Sequence, residues 1–181
     1  EVAGITESGE LIPSASIGNN KTWLDVADKI ILEVNSWVPA EMEGIHDVYY
    51  GTALPPDRRP IQLTRVDDRI GQTTYKVDPS KVVAVVETHA RDAASPLTAP
   101  DAVSEDIAGH VLDFFEYEVR AGRLPADSLL PLQAGIGNVA NAVLGGLDRG
   151  RHKNLTCYSE VIQDSMLSLI KDGTVAHASA T

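Results

Sequence analysis

Polar and apolar positions divide the chain of 181 residues into short strands and helices, with a change of rhythm near its middle. Residues 29–35 (KIILEVN) and 81–89 (KVVAVVETH) are near-continuous apolar runs rich in β-branched side chains. That is the pattern of a buried strand, and the second run is expected to be a parallel strand covered on both faces. Residues 2–5 read as a short strand, 7–10 as a turn around Gly9, and 11–17 as extended. Residues 21–28 carry Trp23, Leu24 and Ala27 at helical spacing behind the polar run Gly18-Asn19-Asn20. Residues 36–50 show no clear period, and the prolines of 52–60 make that stretch a loop.

The rhythm changes after residues 90–103, a run rich in Ala, Pro, Ser and Asp that reads as a linker and domain boundary. Residues 104–121 then predict a long helix with Ile107, Val111, Leu112, Phe114, Phe115 and Val119 on its apolar stripe. Ser104 is the expected N-cap and Gly122 the stop, and His110 lies beside the stripe as a packed or surface histidine. From residue 128 onward, strands (128–133, 155–160, 174–179) alternate with helices (137–147, 162–171), with a Gly/Arg loop over 145–153. Such alternation specifies a parallel sheet, so the expected class is α/β, with parallel or mixed sheets and flanking helices.

Charge narrows the functions. A net charge of −11 argues against a surface built for nucleic acid, yet leaves room for a local anion site. One cysteine, Cys157, supports neither a disulfide framework nor a Cys-based zinc site. As a mid-strand residue it reads as a small buried hydrophobe. The five histidines lack metal-ligand spacing, so no metal is expected. No apolar run approaches the roughly 20 residues of a membrane helix, and no signal-peptide pattern opens the chain. A soluble cytoplasmic protein is expected, and the opening on Glu1 rather than Met suggests a piece of a longer one. The knot Arg65-Val66-Asp67-Asp68-Arg69 reads as an ion-pair network on a surface or subunit contact.

Two stretches carry the candidate chemistry. In residues 155–164, LTCYSEVIQD, a strand ends at the lone acid Glu160. In residues 133–144, QAGIGNVANAVL, a strand breaks at Gly135-Ile136-Gly137-Asn138 into an apolar helix. A strand that turns through glycines into a helix start leaves backbone N–H groups free to meet an anion. Ligands of open α/β sheets gather at the carboxyl ends of strands, so a carboxylate and an anion-stabilising loop could share one site. Two other readings stay open. Gly135 to Ala140 matches the dinucleotide fingerprint with Ala in the last place, and Glu160 stands near the distance of its ribose-binding acid. The glycines also suit a tight turn that binds nothing.

Five segments together resemble the acetyl-CoA hydrolase/transferase family of class I coenzyme A transferases, most of all its succinyl-CoA:acetate CoA-transferases. They are GNNKTWLDVADKIILEVN, PAEMEGIHDVYYGTALPP, VDDRIGQTTYKVDPSKVVAVVET, LQAGIGNVANAVL and LTCYSEVIQD. The resemblance implies a CoA-transferase (NagB/RpiA-like) fold. Residues 1–95 would close a first α/β domain, 96–103 would link, and 104–181 would open a second, catalytic domain. It also implies transfer of coenzyme A between an acyl-CoA, such as succinyl-CoA or acetyl-CoA, and a small carboxylate such as acetate. The family's catalytic glutamate falls on Glu160. Its CoA-contacting loop falls on Gly135, Ile136, Gly137, Asn138 and Val139, with the Ile136 amide as one oxyanion donor. A second donor and further CoA contacts would lie outside these residues. CoA would be a substrate, with no metal or redox cofactor, no nucleic acid and no membrane, in a homodimer when full length. Departures are mild: Ile136 stands for Val, Cys157 for other small residues, and Ser165 where relatives often have Gly.

Overall fold

The computed structural model describes residues 1–51, 53–93, 99–147 and 152–180. The chain divides into two compact units, residues 1–63 with 69–94, and residues 64–68 with 95–181.

The first unit is built on a four-stranded sheet. Strand β1 (Val2–Ile5) pairs antiparallel with β2 (Leu11–Pro13) and parallel with β3 (Ile30–Asn35). Strand β3 pairs parallel with β4 (Val82–Thr88), giving the order β2-β1-β3-β4. Gly9, at φ 83°, makes the β1–β2 turn. Helix α1 (Asn20–Val26) precedes β3. Val2, Leu11, Ile30, Leu32, Val48 and Tyr75 form the core, and each such side chain contributes roughly 1.5–3 kcal/mol on burial. The long connection from β3 to β4 carries two short 3-10 helices, Ala40–Met42 and Pro79–Lys81, among its described residues, and it is stitched down. Tyr75 exchanges backbone hydrogen bonds of 2.8 Å with Leu11, and Val48 exchanges bonds of 2.6 and 2.9 Å with Gln72. The Asp47 carboxylate accepts from the Ile70 and Gly71 amides.

Two expectations are corrected here. Strand β4 is parallel but not covered: Val83, Val85 and Val86 are 55%, 53% and 46% exposed. Among the described residues it is an edge strand, paired with β3, so its continuous apolar run outlasts the packing they supply. The charged knot is not one network either. Arg65 pairs with Asp67, while Asp68 closes a turn by accepting from Thr64 and the Arg65 amide. Arg69 turns away and donates to the carbonyls of Gly44 and His46. Backbone groups left unpaired in a loop compete for these charged partners, and here they win over the neighbouring acid.

The second unit packs three helices beside a parallel pair of strands. Helix α2 (Ala102–Arg120) packs on α3 (Asn138–Leu147), and α3 packs on α4 (Asp164–Lys171). Strands β5 (Leu155–Ser159) and β6 (Val175–Ala180) pair in parallel. Leu129, Leu144, Leu147, Leu155, Cys157, Met166, Leu169 and Val175 are the core, with Leu112, Phe115 and Val119 of α2 against it. The apolar stripe expected on α2 therefore splits: Ile107 and Phe114 stay 42% and 56% exposed.

Helix α2 starts earlier than its spacing suggested. Asp101 is the N-cap, its carboxylate accepting from the Ser104 amide at 2.8 Å, and Ser104 lies inside the first turn. Asp caps as well as Ser, and the cap that stands first defines the helix. Residues 128–133 do not form a strand. Leu129 takes φ 52°, and Pro131 has no N–H to offer a ladder, so pairing survives only at Leu132 beside Cys157. Of the Gly/Arg loop expected over 145–153, residues 148–151 lie outside the described residues, and Gly145 to Leu147 belong to α3. In the linker expected at 96–103, residues 96–98 also lie outside them, while Ala102 and Val103 begin α2.

Candidate active site

Strand β5 delivers Glu160 as the first residue past its carboxyl end. Its pattern of burial alternates, with Leu155, Cys157 and Ser159 inward and Tyr158 outward. Glu160 continues the outward phase and stands in solvent. Among the described residues it takes part in no hydrogen bond or ion pair, so its carboxylate is uncommitted. From Glu160 the chain runs through Val161 and Ile162 to Gln163, which caps α4 in an extended conformation.

The glycine loop lies alongside. Leu132 bridges Cys157 in parallel: its amide donates to Thr156 and its carbonyl accepts from Tyr158, each at 2.9 Å. Two residues on, Ala134 is locked to the last residue of β5. The Ser159 hydroxyl donates to the Ala134 carbonyl at 2.8 Å and accepts from the Ala134 amide at 3.2 Å. The chain then passes Gly135 and Ile136 to Gly137, whose φ of 136° only glycine adopts without strain, and α3 begins at Asn138.

Gln163 closes the arrangement. Its side chain is 4% exposed, donates through Nε2 to the Gly135 carbonyl at 2.6 Å, and accepts through Oε1 from the Gly137 amide at 3.1 Å. Asn141 of α3 adds a second tie, its Oδ1 accepting the Ser165 amide of α4 at 3.1 Å. The two stretches singled out by sequence thus stand side by side at one end of parallel-paired backbone. Sequence reasoning missed the three residues that join them, Ser159, Gln163 and Asn141. Each is a polar residue at a position that the apolar rhythm marks as inward, which is the signal that could have found them.

Between the two ties the loop is open. Ile136 is 69% exposed, and its amide has no partner among the described residues. Gly135 has no atom within 4 Å of where a Cβ would stand, so nothing in the described chain requires glycine there. Asn138 and Val139 open α3, and their amides belong to a helix start, where the dipole favours negative charge. Cys157 is fully buried in the core beneath this end, and burial pushes its thiol above the ordinary value. Among the described residues no cluster of His, Cys, Asp and Glu could hold a metal ion, and no helix is long and apolar enough to cross a membrane.

An exposed carboxylate beside a glycine loop at the end of a strand is an arrangement suited to acyl chemistry. Residues 1–87 match the acetyl-CoA hydrolase/transferase N-terminal domain. All 181 residues align at 46% identity with the acetyl-CoA hydrolase of Saccharomyces cerevisiae and at 48% with that of Kluyveromyces lactis. They align at 46% with the succinyl-CoA:acetate CoA-transferase of Clostridium kluyveri. The chain spans about a third of these relatives, 34% of the first two and 33% of the third. Among solved structures, RipA from Yersinia pestis shares the fold, with a TM-score of 0.60 at 20% identity over 96% of this chain and 31% of RipA.

Proposed function

We propose that the protein carrying this chain moves coenzyme A between an acyl-CoA, such as succinyl-CoA or acetyl-CoA, and a small carboxylate such as acetate. Residues 1–95 would complete a first α/β domain and 104–181 would open the catalytic one, in a homodimer. The ionised Glu160 attacks the thioester carbonyl, expelling CoA thiolate and leaving an acyl-glutamyl anhydride. The thiolate attacks the glutamyl carbonyl, giving a glutamyl-CoA thioester and freeing the donor's carboxylate. The acceptor carboxylate attacks that thioester and releases thiolate, which then takes the new acyl group and restores Glu160. The sequence replaces one difficult exchange by several easier ones.

Each attack places negative charge on a carbonyl oxygen. The Ile136 amide is read as a donor to that charge, and Gly135, Gly137, Asn138 and Val139 as the loop against which CoA lies. Loss of one such donor typically costs about 2.7–4 kcal/mol of transition-state stabilisation. The observation that carries the reading is Gln163, which binds the glycine loop directly to the turn that begins at Glu160. Open space at Gly135 supports close approach of a ligand to the backbone. Carboxylate attack and amide donors suffice for this chemistry, so it calls for no metal or redox cofactor.

A second reading has support of its own, because the fungal relatives are named acetyl-CoA hydrolases. Hydrolysis differs only in that water attacks where the acceptor carboxylate would. One experiment tests both. The full-length protein is incubated with acetyl-CoA and borohydride, and the modified residue is mapped, while exchange into labelled acetate is compared with release of free CoA. Modification at Glu160 with rapid exchange supports transfer, and modification with CoA release alone supports hydrolysis. Modification at another acid, or at none, overturns the role of Glu160.

A further inference from the structure

We propose that Gln163 is a positioning residue that fixes which way the Ile136 N–H points, and so determines whether the glycine loop can accept developing charge. The inference rests on the roles given above to Glu160 and Ile136. The Gly135 carbonyl and the Ile136 N–H belong to one planar trans peptide group and point in opposite directions. Holding the carbonyl therefore aims the amide. Gln163 holds it, donating from Nε2 at 2.6 Å.

The grip is double. Oε1 of the same side chain accepts from the Gly137 amide at 3.1 Å, so the peptides before and after Ile136 are each held. With no Cβ at 135, the dihedral on the Gly135 side of this peptide meets little steric resistance, so a hydrogen bond rather than a side chain fixes it there. A rotated peptide would present the Gly135 oxygen where the N–H now points, and that oxygen would repel an oxyanion. A side-chain amide donates and accepts at once here without bringing a charge. A carboxylate can accept but not donate, and an ammonium or guanidinium can donate but not accept. The orientation of the amide is also settled by its partners, since the reverse assignment would set two acceptors and two donors against each other. Gln163 is itself held, 4% exposed and fixed by its place at the N-cap of α4.

The test uses two substitutions in the full-length protein. Gln163→Met keeps the length and removes both hydrogen bonds. Gln163→Glu keeps an acceptor for the Gly137 amide and loses the donor to Gly135 when ionised. The expected result for each is a fall in kcat of about 10²–10³-fold, the loss seen when one oxyanion donor is removed. KM for acyl-CoA should stay within about threefold, and circular dichroism should show that the fold is kept. Gln163→Glu adds a signature that a merely structural role would not produce. Protonation of the introduced carboxyl restores an O–H donor, so its activity relative to the unsubstituted protein should rise as pH falls.

A flat ratio, an unchanged kcat in both variants, or a raised KM with kcat intact overturns the proposal. Glu160→Gln separates this from failure of the underlying reading. If that variant turns over normally, the nucleophile is wrong. If it is inactive while both Gln163 variants keep full kcat, the positioning role alone falls.

Discussion

Replacing Ser159 by alanine removes two hydrogen bonds and almost no volume. The hydroxyl is 2% exposed, gives a hydrogen bond of 2.8 Å to the Ala134 carbonyl, and takes one of 3.2 Å from the Ala134 amide. The cavity left is small, so the cost is that of stranding two backbone groups beside a residue only 8% exposed. One buried donor or acceptor left unpaired costs about 1–3 kcal/mol. The loop can shift enough to admit water to one of the two, so Ser159→Ala should destabilise the second unit by about 2–3 kcal/mol. With a urea slope of about 1.5 kcal/mol/M, the unfolding midpoint falls by roughly 1–2 M. Far-UV circular dichroism follows the transition well, because α2, α3 and α4 lie in this unit. Ser168→Ala is the control: that residue is exposed and its hydroxyl reaches only the Asp164 carbonyl at 3.5 Å, so its effect should stay within about 0.5 kcal/mol. A Ser159→Ala midpoint no lower than the control's would show that the loop is not held to β5 by this hydroxyl.

Further outcomes can be checked on the same chain. Leu169→Ala, at a side chain 0% exposed in the core of the second unit, should cost about 2–5 kcal/mol in denaturant unfolding. Hydrogen bonds from the Ser104 hydroxyl and amide hold the Asp101 carboxyl below its ordinary value of 3.8. A depressed carboxyl stabilises above the unfolded value and loses that contribution as pH falls, so amide protection factors in α2, corrected for the intrinsic exchange rate, should fall as pH drops through 3.8 and below, and Asp101→Asn should flatten that dependence. Burial, aided by the Arg69 charge, holds the His46 imidazole below 6.5, and its Nε2 has no partner among the described residues. The unfolded chain then binds the proton more readily, so the first unit should lose stability as pH falls below 6.5; a midpoint that stays constant from about pH 7 to 5.5 would refute this. Gly137→Ala should destabilise by roughly 1 kcal/mol or more because of its φ of 136°, whereas Gly135→Ala should leave the unfolding midpoint unchanged and impair acyl exchange.

The strands and helices that sequence revealed are those whose rhythm comes from local structure alone. Residues 29–35 and 81–89 became β3 and β4, and the spacing of Ile107 to Val119 became most of α2. What failed depended on partners. The apolar run of β4 announced a strand correctly, but burial on both faces requires layers that periodicity cannot count. Residues 128–133 were apolar enough for a strand, yet a left-handed Leu129 and the missing N–H of Pro131 broke the ladder. The knot at 65–69 looked self-sufficient because opposite charges alternate along it, while Arg69 found carbonyls some two dozen residues away in sequence. At the candidate site, the two motifs could each be read, because a lone acid and a glycine pair stand out in apolar surroundings. Their union could not, since it runs through hydrogen bonds between residues 24 to 28 positions apart.

The two glycines of the loop divide the structural reading of that motif from the functional one. A tight strand-to-helix turn with no ligand accounts for Gly137, because its backbone angle excludes other residues. It does not account for Gly135, which has open space where a side chain would stand and no left-handed conformation to require glycine. Nor does it account for Gln163, an amide placed where an apolar side chain would fill the same volume without the cost of burying polar atoms. That cost is met by two hydrogen bonds, one to the peptide before Ile136 and one to the peptide after it. A turn that only had to connect β5's neighbouring backbone to α3 would need neither the open position nor the clamp. A loop that must meet a large ligand closely, and hold one amide steady while charge develops beside it, needs both.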